Sequence, residues 1–315
     1  MAGLTPGYVT INRVSMMSEQ KREPTQVFAE APPRVSGLKR FRKTFFSRGV
    51  VVFGLIVIVA TIITAIFAPF IAPYDPYKQD LHNVLSEPSA EHWLGTDSVG
   101  RDTLSRIIYG TRTSLIVGFV ALSMAAGIGM SLGLIAGFFG GVTYAIIMRI
   151  MDALMSFPMI LLALMIASLL GMGISNIVIA LGVGMIAPYA RLMCGQALTV
   201  KQNDYVTAAR AIGASNTRIM LRHVAVNCFP PLIVMMTMQL GVVILAEAGL
   251  SFLGVGIRPP GAAWGAMVSE GYRYLLSNPV LSFAPGIAIM LVVFAFNMVG
   301  DGLRDALDPR LRGII

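Results

Sequence analysis

Long uncharged apolar runs alternate with short polar stretches along this chain, at a spacing that suits a bilayer. Gly49–Ala72 ("GVVVFGLIVIVATIITAIFAPFIA") carries no charge in 24 residues, and about 20 apolar residues cross a hydrocarbon core as a helix. Five further runs cover about 113–139, 144–171, 175–198, 229–256 and 280–302. The expected fold is an all-α membrane protein with six transmembrane helices. Glycine-rich breaks at "GFFGG" (Gly137–Gly141) and "GMGISN" (Gly171–Asn176) make neighbouring spans antiparallel. At the start of the third run, Arg149 and Asp152 stand three apart on one helical face, a pair suited to the membrane interface.

Two polar stretches keep a helical pattern. In 73–112, Pro73 and Pro76 stop the first helix. From Asp102, a good N-cap, Leu104, Ile107 and Ile108 share a face, which predicts a short helix on the outer surface or a simple connector. The second stretch is "YVTAARAIGASNTRIMLRHVAVN" (Tyr205–Asn227), with Asp204 as candidate N-cap and Gly213 as its one helix breaker before Arg222. Two short helices meeting near Gly213–Ser215 are expected. Ala208 and Ala209 leave one face thin, so another surface can approach the backbone. A helix lying in lipid would carry larger apolar side chains. The pattern therefore favours partner docking, with Arg210, Arg218 and Arg222 keeping the segment in water.

Composition agrees with the membrane reading: 56% of the 315 residues are hydrophobic and only 13% charged, about half the charge of a soluble domain. The net charge of +8 is unevenly placed. Nine of 24 Lys and Arg precede residue 49, and "KRFRK" (Lys39–Lys43) abuts the first span. With the N-terminus inside, seventeen basic residues fall on the cytoplasmic side and six outside, leaving Arg191 within a span; both termini are expected in the cytoplasm. No basic, aromatic-interleaved platform supports a nucleic-acid partner. Residues 1–43 read as a basic, largely disordered tail and 44–312 as the transmembrane domain. The apolar run starts too late and runs too long for a cleaved signal.

No catalytic or metal-binding constellation is present. His82, His92 and His223 fall on opposite predicted sides, and Cys194 and Cys228 read as packing residues. The GxxxxGK[ST] phosphate loop is missing, so a nucleotide-driven process would need another chain to hydrolyse the nucleotide. Glu247 sits about 27 Å into its span at about 1.5 Å per residue. It fits equally a wetted, pathway-lining residue and a structural residue bonded to a neighbouring helix. Arg191 reads as a cation snorkelling to the inner headgroups.

At Tyr205–Asn227 the chain resembles the "EAA…G" signature of permease subunits of ATP-binding-cassette importers, with Thr207-Ala208-Ala209 and Gly213 in the signature positions. Further matches are Leu94–Leu115, Ile147–Pro158, "AEAGLSFLGVGIRPPGAAWGAMVSEG" (Ala246–Gly271) and "FNMVGDGLRDALDPRLR" (Phe296–Arg312). They resemble the dipeptide/oligopeptide/nickel branch, in its second, six-span permease. The resemblance implies the type I importer permease fold in the inner membrane, with no enzyme activity or cofactor of its own. It also implies as partners a second permease, ATP-binding subunits that bind ATP, an external substrate-binding protein and membrane lipid. Ala208, Ala209, Arg210, Gly213, Ala214 and His223 would form the coupling helix region that enters a groove of the ATPase. Asp97, Arg101 and Asp102 would brace the outer gate or meet the binding protein, and Glu247 is the pathway candidate. The substrate would be a dipeptide or oligopeptide, with glutathione-type peptides or nickel chelates as alternatives. A self-sufficient ion-coupled transporter would show internal repeats and midplane acids, which the chain lacks. Two departures stand out: Thr207 replaces the signature Glu, which weakens an expected capping box from Asp204, and "HVAVN" (His223–Asn227) lacks a proline before its asparagine.

Overall fold

The computed structural model describes residues 37–307; the tail up to residue 36 and the stretch 308–312 of the last motif lie outside the described residues. The elements are α1 (Gly37–Phe45), α2 (Gly49–Ile71), α3 (Thr103–Phe139), α4 (Gly141–Met155), α5 (Met159–Leu170), α6 (Ile174–Val200) and α7 (Asp204–Ala211). They continue with α8 (Asn216–Phe252), α9 (Trp264–Tyr272) and α10 (Val280–Leu307). Helices α2, α3, α6, α8 and α10 are each long and apolar enough to cross a membrane. The expected tail boundary at 43/44 falls inside α1, whose Phe45 is buried.

Three expectations change. The short surface helix at 102 is not separate. Asp102 caps it as expected, accepting from the Ser105 amide at 2.7 Å, but the helix runs on unbroken to Phe139. At about 1.5 Å per residue it is about 55 Å long, so its first turns project beyond a hydrocarbon core of about 30 Å. The third span is not one helix: α4 and α5 meet at an 86° bend. Pro158 sits at the break, where it has no amide to continue the ladder and disfavours helix in the residue before it. Helix α9 lay hidden in a stretch read as loop, although Trp264, Met267 and Gly271 have helical spacing and are all buried.

The core is built on α3 and α6, the most extensively packed helix pair of the described residues. Gly129, Gly133 and Gly137 recur every four residues on α3, so one strip of backbone lies bare against α6. A Cβ on Gly133 would stand 2.2 Å from the Ala190 carbonyl oxygen, and one on Gly129 2.4 Å from that of Ile186. The facing side is equally small, with Ala190, Cys194 and Ala197. In a bilayer no hydrophobic gain separates helix–helix from helix–lipid contact, so close van der Waals approach supplies the association. Around this pair, α4 packs Met148 and Met151 into one groove, and α8 closes the other side with Leu232, Val243 and Leu250. By contrast α2 is peripheral: Ile56, Ile66 and Phe70 are exposed along it.

The chain ends of the helices sort into two faces. One carries the 72–102 loop, α9 and the Gly173 amide donating to the Gly256 carbonyl at 3.3 Å. The opposite face carries α7, the Lys201 ammonium donating to the Phe138 carbonyl at 2.7 Å, and the Arg48–Asp305 ion pair at 2.8 Å.

Replacing Gly133 by Val is expected to destabilise the protein by about 2 kcal/mol or more through overpacking. Gly127→Ala, whose Cβ would meet nothing within 4 Å, should be neutral or slightly stabilising. Thermal unfolding of the detergent-solubilised protein distinguishes the two; equal effects would remove the seam from the account.

Candidate functional site

The segment singled out by its alanines is an anchored hairpin. Helix α7 begins one residue earlier in its cap than expected: Asn203 is the N-cap and makes no side-chain bond, while Asp204 is the first helical residue. Position 207 is then the fourth helical residue, beyond the reach of a capping box, so the Thr-for-Glu argument about the cap does not hold. The far end follows the glycine. Gly213 has φ +82°, its amide donates to the Arg210 carbonyl at 3.0 Å, and the Ala214 amide donates to the Ala209 carbonyl at 3.1 Å. This is a Schellman cap, and it requires a residue without Cβ strain at that φ. Ser215 then caps α8, accepting from the Arg218 amide at 3.4 Å.

The two alanines part company. Val206 and Ala209 are buried in the main core together with Ile219 and Val224 of α8, whereas Ala208 and Arg210 are exposed. Ala209 therefore seats the hairpin on its own bundle, and Ala208, Arg210 and Ile212 face outward. Ile212 is 85% exposed at the tip, a large apolar residue left uncovered by the described residues. The expected second short helix is the start of α8. It passes through a π-helical stretch, Ile219–Ala225, before the prolines Pro230 and Pro231. His223 lies in that stretch, half-buried, and its carbonyl accepts from Asn227 Nδ2 at 2.7 Å. The hairpin is thus continuous with a membrane-crossing helix rather than hung on a flexible loop.

At the other face, Asp97, Arg101 and Asp102 are all buried, each less than 8% exposed. Arg101 Nε donates to Asp97 Oδ2 at 2.6 Å, and the Arg101 and Val99 amides donate to Asp97 Oδ1 at 2.9 and 3.0 Å. Asp102 receives His92 Nδ1 at 2.9 Å besides capping α3. The sequence reading missed two members of this network. Arg106 reaches Asp97 at 3.4 Å and donates to the carbonyls of Pro76 and Pro260 at 3.4 and 3.5 Å. Glu270 of α9 pairs with Arg101 at 3.4 Å and accepts from Ser98 Oγ. Arg106 stands about one turn along α3 from its cap Asp102, but Glu270 is about 170 residues away, and only the fold brings it in. Trp264 fastens the same α9 to α3, its indole N–H donating to the Ile107 carbonyl at 2.9 Å.

Glu247, the pathway candidate, is closed off from the surface among the described residues. It is fully buried, accepting from Ser114 Oγ of α3 at 3.1 Å and Ser251 Oγ at 2.8 Å. Its partners lie on α3 and on its own helix α8, the helix-to-helix bonding that the structural alternative describes. Arg191 does not simply snorkel either: it pairs with Asp152 across α4 and α6. That leaves Asp152 bonded to Arg191 and not to Arg149.

An open groove of about 740 Å³ runs between α6, α8 and α10. Its polar lining is Gln196, Asn227, Gln239, Asn297 and Arg304, set among prolines and methionines. Exposed residues of α2 are apolar, while these amides sit within membrane-crossing helices. Exposed polar groups within a span face a cavity or another chain, because each is costly in lipid. Asn227, Asn297 and Arg304 lie in stretches the sequence singled out, but nothing there joined them to Gln196 and Gln239, since isolated Gln and Asn have no pattern until three helices bring them together.

The buried charges allow a direct test. Asp97→Asn leaves the Arg101 and Arg106 guanidiniums without their shared carboxylate and is expected to cost about 3–5 kcal/mol. Glu270→Gln, at a more exposed position, should cost about 1 kcal/mol or less. Thermal unfolding of the purified variants gives both values, and equal losses would mean that Asp97 is not the centre of the network.

Comparison with known proteins places this architecture. The sequence model described as a binding-protein-dependent transport system inner membrane component matches residues 129–313. That for the N-terminal transmembrane domain of oligopeptide transport permease C matches residues 36–88. The chain is 40% identical over 289 residues to the dipeptide transport system permease protein DppC of Alkalihalophilus pseudofirmus, covering 92% of this chain and 94% of that one. It is 43% identical over 276 residues to the glutathione transport system permease protein GsiD of Escherichia coli, covering 87% and 90%. Among solved structures, an inward-facing MetNI methionine ABC transporter chain superposes with a TM-score of 0.52 at 20% identity, covering 64% of this chain and 96% of that chain. A second crystal form of the same transporter gives 0.53 at 21% identity; at this identity the likeness shows the fold alone. Matched over more than half its length and similar to full-length permeases, the chain belongs to the family of binding-protein-dependent transport system inner membrane components, in the branch of the dipeptide and oligopeptide permeases.

Proposed function

We propose that this chain forms half of the translocation pathway of an ATP-driven importer of peptides and receives its driving motion through the α7 hairpin. The observation that carries the proposal is the hairpin's division of faces. Val206 and Ala209 hold it in the core, the Schellman cap fixes its turn, and Ala208, Arg210 and Ile212 are left for a partner. Because the hairpin leads directly into α8, displacement of its tip moves a helix that lines the groove. Such a rigid link suits alternating access by movement of packed helices. Ala214 supports the cap, and His223 stands at the π-helical start of α8, where the motion enters.

The partner at the hairpin is an ATP-binding subunit, and ATP is bound there; this chain supplies no cofactor and performs no catalysis of its own. A second permease faces the amide-lined groove, and a substrate-binding protein delivers peptide at the face that carries Asp97, Arg101 and Asp102. Those three residues brace that face from inside. The hairpin face is the cytoplasmic one, with both termini on that side, in accord with the distribution of Lys and Arg. Residues 1–43 are a cytoplasmic basic tail to the permease domain 44–312. Peptide is favoured over a nickel chelate because Gln196, Asn227, Gln239 and Asn297 offer both donors and acceptors for peptide groups. The similarity to a dipeptide and a glutathione permease points the same way.

Ile212→Asp tests the coupling. Loss of a docked isoleucine removes about 1.5–3 kcal/mol of burial, so peptide uptake by the reconstituted complex should fall about tenfold or more while membrane insertion is unchanged. Wild-type uptake and wild-type substrate-stimulated ATP hydrolysis in this variant would refute the docking role.

A further inference from the structure

A second pocket of about 540 Å³ opens between α4 and α6, on the other side of the α6 ridge from the amide-lined groove. Its lining includes Tyr144, Arg149, Asp152, Arg191 and Gly195. Arg191 and Asp152 form an ion pair while each remains about half exposed, 47% and 50%. Arg149 is exposed and takes part in no ion pair among the described residues. The pocket therefore holds two guanidiniums, one carboxylate already engaged and one phenol, a net excess of one positive charge. We propose that it binds the phosphate of an anionic phospholipid headgroup.

Depth, space and surroundings support this occupant. Arg149 is about 12 Å along α4 from Gly141, and Arg191 about 15 Å along α6 from Lys201, at about 1.5 Å per residue. An arginine can raise its head from there toward the interface, and a headgroup can be drawn down to meet it. Guanidinium forks match phosphate oxygens with two parallel hydrogen bonds. Gly195 lies on an exposed helix face, and a Cβ there would meet nothing within 4 Å. A mid-helix glycine weakens its helix relative to alanine, and no packing among the described residues calls for one here. It leaves the pocket floor open. Beside the charges, Val142, Ile146 and Ile150 are exposed along α4, an apolar surface for the acyl chains. Basic pockets between membrane helices are known to take anionic headgroups in this way.

The test uses the assembled complex, reconstituted with mixed phosphatidylcholine and phosphatidylglycerol, and native mass spectrometry of the lipids retained on the permease. Arg149→Gln should lower retained phosphatidylglycerol about fivefold, the loss of one Arg contact, and Gly195→Leu should lower it by filling the pocket floor, with phosphatidylcholine unchanged in both; Arg149→Lys should keep most of it. Wild-type retention in both variants overturns the proposal. Full displacement by inorganic phosphate would assign the pocket to a free anion, and retention by the isolated chain but not the complex would assign it to a subunit interface; either result also overturns it. Peptide uptake is read separately, so failure of the lipid site leaves the importer reading intact.

Discussion

Backbone contact between α3 and α6 is the constraint on which the rest of the molecule depends. Three glycines at four-residue spacing let α3 lie against the carbonyls of α6, and no larger side chain fits between them. The two helices thereby become one rigid post that reaches both faces. At one end it sets Lys201 on the Phe138 carbonyl and hands the chain directly into α7. At the other, the projecting turns of α3 present Arg106 to the loops before and after it in sequence. In lipid, where apolar burial gives no net preference for protein, such close packing is what holds the post together.

The two faces are built on different chemistry because they meet different demands. The loop face is locked by buried charges: Asp97 is shared by Arg101 and Arg106, and Glu270 ties α9 to the same cluster. Buried ion pairs add little net stability, but they impose one arrangement, since any other leaves a charge unpaired. The hairpin face is held by small apolar contacts and a backbone cap, leaving its polar and apolar tip residues outward. One face is closed on itself, while the other leaves its tip residues uncovered among the described residues. Belonging to the binding-protein-dependent permease family gives that asymmetry its context.

Membrane-crossing runs, their antiparallel order, the cap at Asp102 and the break near Gly213–Ser215 were legible in the chain itself. Each rests on local chemistry: an apolar run long enough for a bilayer, a short side chain that accepts from a nearby amide, a residue that tolerates positive φ. The motif residues of the hairpin could be located by the same means. Which of them face outward could not. Ala208 and Ala209 are identical in sequence terms, and only the position of α8 beneath α7 decides that one is buried and the other free.

What the sequence by itself determined is the kind of protein: an all-helical membrane chain whose polar segments have defined helical breaks. Tertiary structure alone decided the partners of the isolated polar residues. Glu247 went into the interior because Ser114 of α3 stands opposite it; Glu270 joined Asp97 and Arg101 from about 170 residues away. Asp152 chose Arg191 over the nearer Arg149 because α4 bends away at Pro158 and lies along α6. Periodicity describes one helix at a time, whereas burial and charge pairing are properties of where helices cross.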